Sequence, residues 1–309
     1  MRRTCPAEVP ADGARRGGVW GCEIPRVPAR SPGRWLVLPS AAVSVLFADG
    51  GELALVDAAG VPRALPPGPL LLGPRVTTLT LAGPDGPRCP RLLLAPWTVH
   101  TLSGLPMDRL VDRIVPAEEV LGPGVRRLAG DLAAAGDCRD DALRRLGLTL
   151  SRWETRGGPP APPVLRAWSE LVRTRGTASI ADLARHAGWC HSQLGRRFPK
   201  QVGLSPKAAA RVLRWREAIR RLAGGEPVAG AALGAGYHDQ AHFGHECKAM
   251  AGCTPRRFLS TWNSEGFRED AEFLQEQAAV DRAEYSSEGR SGEKERNGGK
   301  KSAAPLLLR

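Results

Sequence analysis

Four polar side chains between residues 190 and 200 have the chemistry needed to read the edges of DNA bases. They are Ser192, Gln193, Arg196 and Arg197. Arginine can pair with O6 and N7 of guanine, glutamine can pair with adenine, and serine can donate to or accept from either. On the outer face of one helix these residues would suit a major groove, and an ordinary solvent-exposed helix is the alternative.

The elements that would position these side chains can be read from the apolar pattern around them. Leu183 and Ala187 fall on one face of a helix, and Gly188 supplies the permissive backbone of a tight turn. A second helix is expected from about His191 to Phe198. We include His191 among the candidate DNA-contacting residues. Pro199 disfavours helical geometry at the residue before it and should end that helix.

The same order of elements occurs again between Val228 and Lys248, with its turn at Gly236. A helix, a tight turn and a second helix form a helix-turn-helix unit, whose second helix is built to enter a DNA major groove. The doublet therefore predicts a DNA-binding module with two recognition helices.

A longer helix is expected between the two units. Ser205-Pro206 is a typical helix start with proline at the first position, and Gly224-Gly225 is a typical stop. About 17 residues would span roughly 25 Å at about 1.5 Å per residue. Such a spacer could hold two recognition helices about 34 Å apart, one turn of the duplex. The candidate phosphate contacts on it are Lys207, Arg211 and Arg214.

The distribution of charge supports a polyanionic partner for this segment. The chain of 309 residues carries a net charge of +12. Residues 164–262 contain 16 Lys/Arg against 6 Asp/Glu, whereas residues 263–309 contain 8 against 10. Because the excess lies on the repeated segment, double-stranded promoter or operator DNA is the expected partner.

Composition also argues against several classes of protein. The seven cysteines include no Cys-x-x-Cys pair, and no run of 18 apolar residues is present. We therefore expect a cytoplasmic protein with reduced thiols, no cofactor, no bound metal and no membrane partner.

The rest of the chain predicts an α+β fold with a β-rich part before the helical one. Six short apolar runs between Arg34 and Ala95, separated by turn formers, indicate antiparallel strands. Apolar spacing of three and four predicts amphipathic helices at 107–114 and 125–132. The expected organisation is a flexible arm at 1–33, a β-rich sensor or dimerisation domain with trailing helices at 34–155, a Pro/Gly linker at 156–163, a DNA-binding domain at 164–262 and a disordered tail at 263–309.

The segment resembles the DNA-binding domain of the AraC/XylS family of transcription regulators over about 95 residues. The resemblance is carried by Gly203-Leu-Ser-Pro206, by Arg211 to Leu222, by Gly236-Tyr-x-Asp-Gln-x-His-Phe243 and by Gly252-Cys-Thr-Pro255. It implies two helix-turn-helix units joined by a long helix. The preceding part is similar to an N-terminal domain of unknown function that often accompanies this module.

The resemblance also implies individual base contacts. In the first recognition helix these are Ser192, Gly195 and Arg196, and in the second they are Gln240, Ala241, His242 and His245. His245 stands where the family usually has arginine, and Gly244 lies inside the second helix, where glycine costs about 1 kcal/mol relative to alanine. We therefore expect the second unit to contribute mainly phosphate affinity.

Three other functions compete with a transcription regulator that responds to a small-molecule effector. Zinc could bind His238, His242 and His245, which fall four and three apart with Cys247 nearby. The β-rich part could be an enzyme, although it contains no paired carboxylates, nucleophile elbow or phosphate-binding loop, and Trp97 and His100 are better explained as core or surface residues. The basic segment could instead bind a protein.

For the transcription regulator, RNA polymerase is a candidate partner. The oligomeric state is left open, with a homodimer as one option.

Overall fold

The protein has a β-rich first part and an all-helical second part. The computed structural model describes residues 19–23, 33–47, 53–83, 91–135, 144–146, 148–150 and 152–264. Strands occupy the first part and the long helices of the second part begin at Pro162, so the chain belongs to the α+β class that the sequence predicts. Apart from residues 19–23 and 33, the expected arm lies outside the described residues, and so does nearly all of the expected tail.

The strands pair into two antiparallel sheets. The described strands are β1 Val19–Glu23, β2 Gly33–Val37, β3 Val43–Leu46, β4 Ala54–Val56, β5 Pro62–Ala64, β6 Leu70–Leu72, β7 Leu79–Gly83, β8 Arg91–Leu94 and β9 Ile114–Pro116. One sheet has the order β1-β8-β3-β6-β9 and the other the order β2-β7-β4-β5. The six predicted apolar runs correspond to β2, β3, β4, β6, β7 and β8, which confirms the expected strands.

The three central strands of the five-stranded sheet are buried on both faces, which explains their continuous apolar runs. Every residue of β3, β6 and β8 is buried. Leu70 and Leu72 belong to the cluster that includes Trp35 and Leu81 of the other sheet. Leu71 between them belongs to a cluster with Leu128 under the helices. Successive side chains thus enter opposite cores, as the pleat requires.

Three helices pack on the outer face of this sheet. They are α1 Pro96–Ser103, α2 Ala117–Leu121 and α3 Val125–Ala135. Their buried residues share one cluster with the outward residues of β3, β6 and β8. The helix predicted at 125–132 is therefore confirmed and packs on the sheet.

The helix predicted at 107–114 is wrong. Met107–Leu110 form a single turn of 3-10 helix, and Ile114 already begins β9. Asp112 has a φ of 56°, which interrupts helical geometry, and Val115 then pairs with Leu71 of β6. A short apolar run is compatible with the period of a helix or of a strand. Here the edge of β6 is open to pairing, and residues 114–116 form a strand beside it.

Strand β1 lies in sequence assigned to the flexible arm. Cys22 is paired with Leu92 of β8. The hydrogen bonds come from a neighbouring strand that the local sequence does not reveal, so residues 19–23 of the arm have regular structure.

The helical part contains seven helices within the described residues. They are α4 Pro162–Arg173, α5 Ile180–Ala187, α6 His191–Val202, α7 Pro206–Ala223, α8 Val228–Gly234, α9 Gln240–Ala251 and α10 Pro255–Ser264. Helix α7 is the long helix expected between the two units, and it begins at Pro206 and ends before Gly224 as predicted. None of the helices in the described part of the chain is long and apolar enough to cross a membrane.

The β-rich and helical parts share a continuous buried cluster. It extends from Trp35 and Leu81 in the sheets to Trp168, Leu194 and Trp215 in the helices. The proline-rich segment between the two parts is also held to both, since Gly157 N–H donates to Thr101 O at 2.8 Å and Ala161 N–H donates to Gln201 Oε1 at 2.9 Å. Helix α4 begins at Pro162, within the segment predicted as a linker. Proline tolerates this position because its missing N–H has no helical partner there.

Candidate nucleic-acid interface

The first helix-turn-helix unit forms as the apolar pattern predicts. Ser179 caps helix α5 by accepting from Asp182 N–H at 3.1 Å, and Gly188 ends it with a φ of 71°. The left-handed conformation at Gly188 favours glycine and turns the chain into α6. Leu194 and Phe198 of α6 are fully buried against this unit. The opposite face of α6 is thereby left to solvent.

Five of the six predicted residues on α6 are exposed. They are His191, Ser192, Gly195, Arg196 and Arg197. Within the described part of the chain, no hydrogen bond or ion pair restrains Arg196, so its guanidinium is available to a partner. Arg197 lies over the ring of Trp189 in the turn, 5.5 Å from its centroid. A cation–π contact of this kind orients the arginine without neutralising it.

Gln193 is half-buried and has a role in the start of the helix. Its Oε1 accepts from Cys190 N–H at 3.1 Å, the reciprocal half of a capping box. The Cys190 thiol lies 3.2 Å from Ser192 Oγ, and this hydrogen bond lowers the pKa of the thiol. Base contact by Gln193 would require it to leave the cap.

Helix α6 does not end before Pro199 as the sequence predicts; it continues through that proline to Val202. Proline removes one hydrogen bond and normally kinks a helix. Here the last turn is anchored from outside, since Val202 is buried and Lys200 Nζ lies 2.6 Å from Asp108 Oδ2 in the β-rich part. Tertiary contacts therefore outweigh the local preference.

Helix α7 holds the first unit through one buried carboxylate. Glu217 is 8% exposed and accepts hydrogen bonds from Arg175, Arg220 and Arg221. Burial raises the pKa of Glu217, but the hydrogen bond and charge of Arg220, the charge of Arg175 and the hydrogen bond from Arg221 outweigh it and lower the pKa overall. Arg175 lies in the turn before α5, so this cluster joins α7 to the first unit.

The second unit repeats the arrangement with different packing. Gly236 has a φ of 82° in the turn, and Asp239 caps α9 by accepting from His242 N–H at 2.7 Å. The exposed face of α9 includes all four predicted residues, namely Gln240, Ala241, His242 and His245. Cys247 is fully buried where the resemblance leads one to expect an aromatic residue, and burial raises the pKa of its thiol to about 12.

The three candidate phosphate contacts differ in whether another residue already holds the side chain. Lys207 is exposed at the start of α7. Arg211 forms a two-pronged ion pair with Glu246 of α9, and Arg214 lies over the ring of Tyr237 at 5.6 Å. Both arginines thus hold the second unit against α7. Phosphate contact by any of the three stays a prediction.

The glycines of the two units fall into two groups. Among the residues that the structure describes, a Cβ added at Gly195, Gly230 or Gly244 would meet no atom within 4 Å apart from its own helix backbone and chain neighbours. At Gly236 an added Cβ would lie 2.5 Å from Thr177 Cγ2. Glycine is therefore required at the turn, whereas at the first three positions it lowers helix stability and no described residue packs against it.

The β-rich part contacts the C-terminal ends of both recognition helices, which the sequence reasoning missed. Thr78 N–H donates to Met250 O at 2.7 Å in the last turn of α9. A Cβ on Gly203, directly after α6, would lie 2.9 Å from Pro74. No sequence signal marks these contacts, because they join segments more than 100 residues apart through backbone groups and small side chains.

The residues considered for zinc binding and for catalysis lie beside other side chains and backbone groups. The His238 ring lies 3.1 Å from Asp239 Oδ2, and the edge of the His242 ring meets Tyr237 at 5.2 Å. In the residues that the structure describes, no three His, Cys, Asp or Glu side chains gather as a metal site would require. Trp97 packs edge-on against Trp168 at 5.7 Å, and His100 Nδ1 lies 2.8 Å from Leu105 O.

Comparison with known proteins found similarity to one family model and to several solved structures. A family model described as a helix-turn-helix domain matches residues 183–261. No curated protein matches the chain. Among solved structures, ToxT from Vibrio cholerae O395 is 12% identical with a TM-score of 0.43, covering 77% of this chain and 95% of ToxT. Wild-type ToxT from strain SCE256 with an unsaturated fatty acid bound is 15% identical with a TM-score of 0.42, covering 76% and 97%.

The matched segment begins within α5 and ends within α10, so it contains both recognition helices and the helix that joins them. Residues 183–261 therefore match a helix-turn-helix domain over both predicted units, which agrees with the sequence resemblance to the AraC/XylS type.

Proposed function

We propose that the protein is a transcription regulator that binds promoter DNA by inserting α6 and α9 into successive major grooves. The observation that carries the proposal is the pair of exposed helix faces, each following a glycine turn and each fastened to α7. The cluster around Glu217 holds the first unit and the Arg211–Glu246 pair holds the second. Two recognition helices on one rigid support suit two half-sites on the same face of the duplex.

The first helix is the main reader in this proposal. Arg196 is exposed and unrestrained within the described residues, and Ser192 lies one turn before it. A bidentate arginine–guanine pair gives about 1–3 kcal/mol of discrimination. The second helix has Gln240, Ala241, His242 and His245 on its outer face, with histidine where the family usually has arginine, so it contributes affinity more than specificity.

The β-rich part is proposed as the sensor. Pro74 lies against Gly203 at the end of α6, and Thr78 donates to Met250 at the end of α9. A ligand that moved this segment would change the placement of both recognition helices. RNA polymerase is the proposed partner for activation, and a homodimer is one way to extend the operator.

Selection of bound duplexes from a random pool by the full-length protein tests the proposal. The expected result is a sequence with two half-sites about 10 base pairs apart, one helical turn. Affinity for it should fall with salt at about −0.9 per phosphate contact on a logarithmic plot. Failure to enrich any sequence, with only weak salt-dependent binding, would favour a protein-interaction role for the basic segment.

A further inference from the structure

The loop between α4 and α5 has an unusual backbone at residues 175–177. Arg175 has a φ of 51° and Gly176 has a φ of 78°. A left-handed conformation is strained for arginine, and it persists where the surrounding structure holds the residue in place. Backbone hydrogen bonds of 2.9, 2.8 and 3.0 Å hold the three residues against the end of α4. The strain directs attention to what this loop contacts elsewhere.

One contact joins the 175–177 loop directly to the second helix-turn-helix unit. Thr177 lies against the turn before α9, where a Cβ added at Gly236 would be 2.5 Å from Thr177 Cγ2. The Thr177 hydroxyl donates to Thr174 O at 2.7 Å, so the side chain is held in one orientation. Because Gly236 turns the chain toward α9, the methyl group of Thr177 meets the second unit at the point that directs its recognition helix.

A series of charged groups joins the loop to the second unit by another route. Arg175 Nη1 donates to Glu217 Oε1 of α7 at 3.1 Å, and the same oxygen accepts from Arg221 Nε at 2.8 Å. Arg221 Nη1 donates to Glu226 Oε1, before α8, at 3.2 Å. The same nitrogen lies at the end of α8, 2.4 Å from the position that a Cβ of Gly234 would take. Glycine at 234 therefore leaves room for this guanidinium.

The long helix α7 supports the loop from the other side. A Cβ added at Gly176 would lie 2.2 Å from Ala210 O, so the backbone of the loop touches the backbone of α7. A contact between two backbones cannot relax by a change of side-chain rotamer, and close-packed interiors transmit such a constraint. The 175–177 loop is therefore held between α7 and the turn of the second unit.

We propose that the 175–177 loop fixes the separation of the two helix-turn-helix units and so selects the spacing of the DNA half-sites. Thr177 is the specificity-determining residue, because its methyl group meets the second unit. The inference rests on the proposed function and deepens it, since it assigns residues to the distance between α6 and α9. One base pair moves a half-site by about 3.4 Å and turns it by about 35°, which a fixed pair of helices cannot follow.

Binding of the full-length protein to duplexes of different spacing tests this role. The two selected half-sites are placed about 8 to 13 base pairs apart, on either side of one helical turn. A duplex with one half-site is the reference, and the ratio of affinities between spacings cancels any uniform loss of affinity.

The two substitutions at Thr177 separate its methyl group from its hydroxyl. Thr177→Ser removes the methyl group and keeps the hydroxyl, whereas Thr177→Val does the reverse. Because Thr177 is an exposed residue, both variants should fold. Thr177→Ser should weaken the preference for the best spacing by about threefold, the factor that one methyl contact can supply, with unchanged affinity for the single half-site. Thr177→Val should keep the preference of the unmodified protein.

Thermal unfolding without DNA tests the contact itself. Gly236→Ala should lower the unfolding temperature, and it should lower it less in the Thr177→Ser protein, where the added methyl group has room. Thr177→Val should give no such relief, because Cγ2 is retained. Dependence of one substitution on the other is expected for residues in contact. If Gly236→Ala does not fold alone, its recovery in the Thr177→Ser protein makes the same test.

Two results would overturn the proposal. One is a spacing preference that Thr177→Ser leaves unchanged or that Thr177→Val weakens equally. The other is a Gly236→Ala effect that is the same with Thr, Ser and Val at position 177. If no duplex with two half-sites is selected but the Gly236→Ala effect depends on Thr177, the proposed function is refuted and the fixed separation of the two units stands.

Discussion

Arg211 of α7 and Glu246 of α9 form a bidentate ion pair, with Nη2 2.9 Å from Oε1 and Nε 3.0 Å from Oε2. The carboxylate is largely buried, and its hydrogen bond raises the pKa of Arg211. A planar pair of this kind specifies direction as well as distance. It therefore sets the orientation of the second recognition helix on the helix that supports both units.

The pair predicts coupling between two substitutions. Arg211→Gln and Glu246→Gln should each lower the free energy of unfolding by about 1 kcal/mol, because each leaves a partly buried charge without its partner. The double variant should cost less than the sum, since the pair is lost only once. Urea unfolding of the four proteins measures this, and simple additivity would show that the pair does not stabilise the domain.

Salt dependence of DNA binding separates Arg211 from Lys207. Lys207→Gln should make the slope of log affinity against log salt concentration less steep by about 1, as expected on loss of one phosphate contact. Arg211→Gln should change the slope less, because the guanidinium is already paired with Glu246 in the free protein. Fluorescence anisotropy with one labelled duplex at several salt concentrations gives both slopes. Equal decreases would mean that Arg211 leaves Glu246 for phosphate.

Two glycines of the second unit should respond to alanine in opposite directions. Gly230→Ala should raise the free energy of unfolding by about 0.5–1 kcal/mol, since the added methyl would meet no neighbouring element among the described residues and alanine favours the helix. Gly236→Ala should lower it by more than 1 kcal/mol, because its φ of 82° and Thr177 Cγ2 at 2.5 Å both oppose a side chain. Thermal and urea unfolding check both, and a stable Gly236→Ala variant would contradict the geometry of the turn.

Glu217 should make stability depend on acid pH. Its pKa is below the ordinary value of 4.5 in the folded protein, so its contribution is present above about pH 4.5 and is lost as the pH falls through the lower folded pKa. Glu217→Gln should be less stable at pH 7 and should lose less stability between pH 5 and pH 3. Urea unfolding across this range measures the difference, and Glu119→Gln on the exposed surface serves as the control. Parallel curves for the Glu217 variant and the unmodified protein would refute the role.

His245 tests the unequal roles of the two recognition helices. His245→Ala should lower affinity by roughly 0.5–1.5 kcal/mol, the range of one hydrogen bond, and by the same factor on all duplexes. Binding to a panel of single-base variants of the selected site measures this. A loss confined to one base position would show that α9 reads sequence through His245.

Local sequence was sufficient to predict the elements that depend on local chemistry. Ser205-Pro206 begins α7, Gly188 ends α5, and the apolar runs form strands, because capping, left-handed turns and burial all act over a few residues. Both recognition helices and the exposure of their outer faces follow from the same spacing.

The errors share a cause in contacts from distant parts of the chain. Helix α6 passes Pro199 because Lys200 and Val202 are held by other elements, and β1 forms because β8 offers an edge. Met107–Leu110 and β9 replace a predicted helix for the same reason.

The central claim is that Arg196 of the first recognition helix reads a base. The most direct measurement is the affinity of the unmodified protein and of Arg196→Ala for the selected duplex and for each of its single-base variants. Arg63→Ala, on the exposed strand β5 of the β-rich part, is the control for the loss of one positive charge. The account predicts that Arg196→Ala loses about 1–3 kcal/mol on the selected duplex and no longer discriminates at one base pair, with its unfolding unchanged. Undiminished discrimination at every base pair would contradict it.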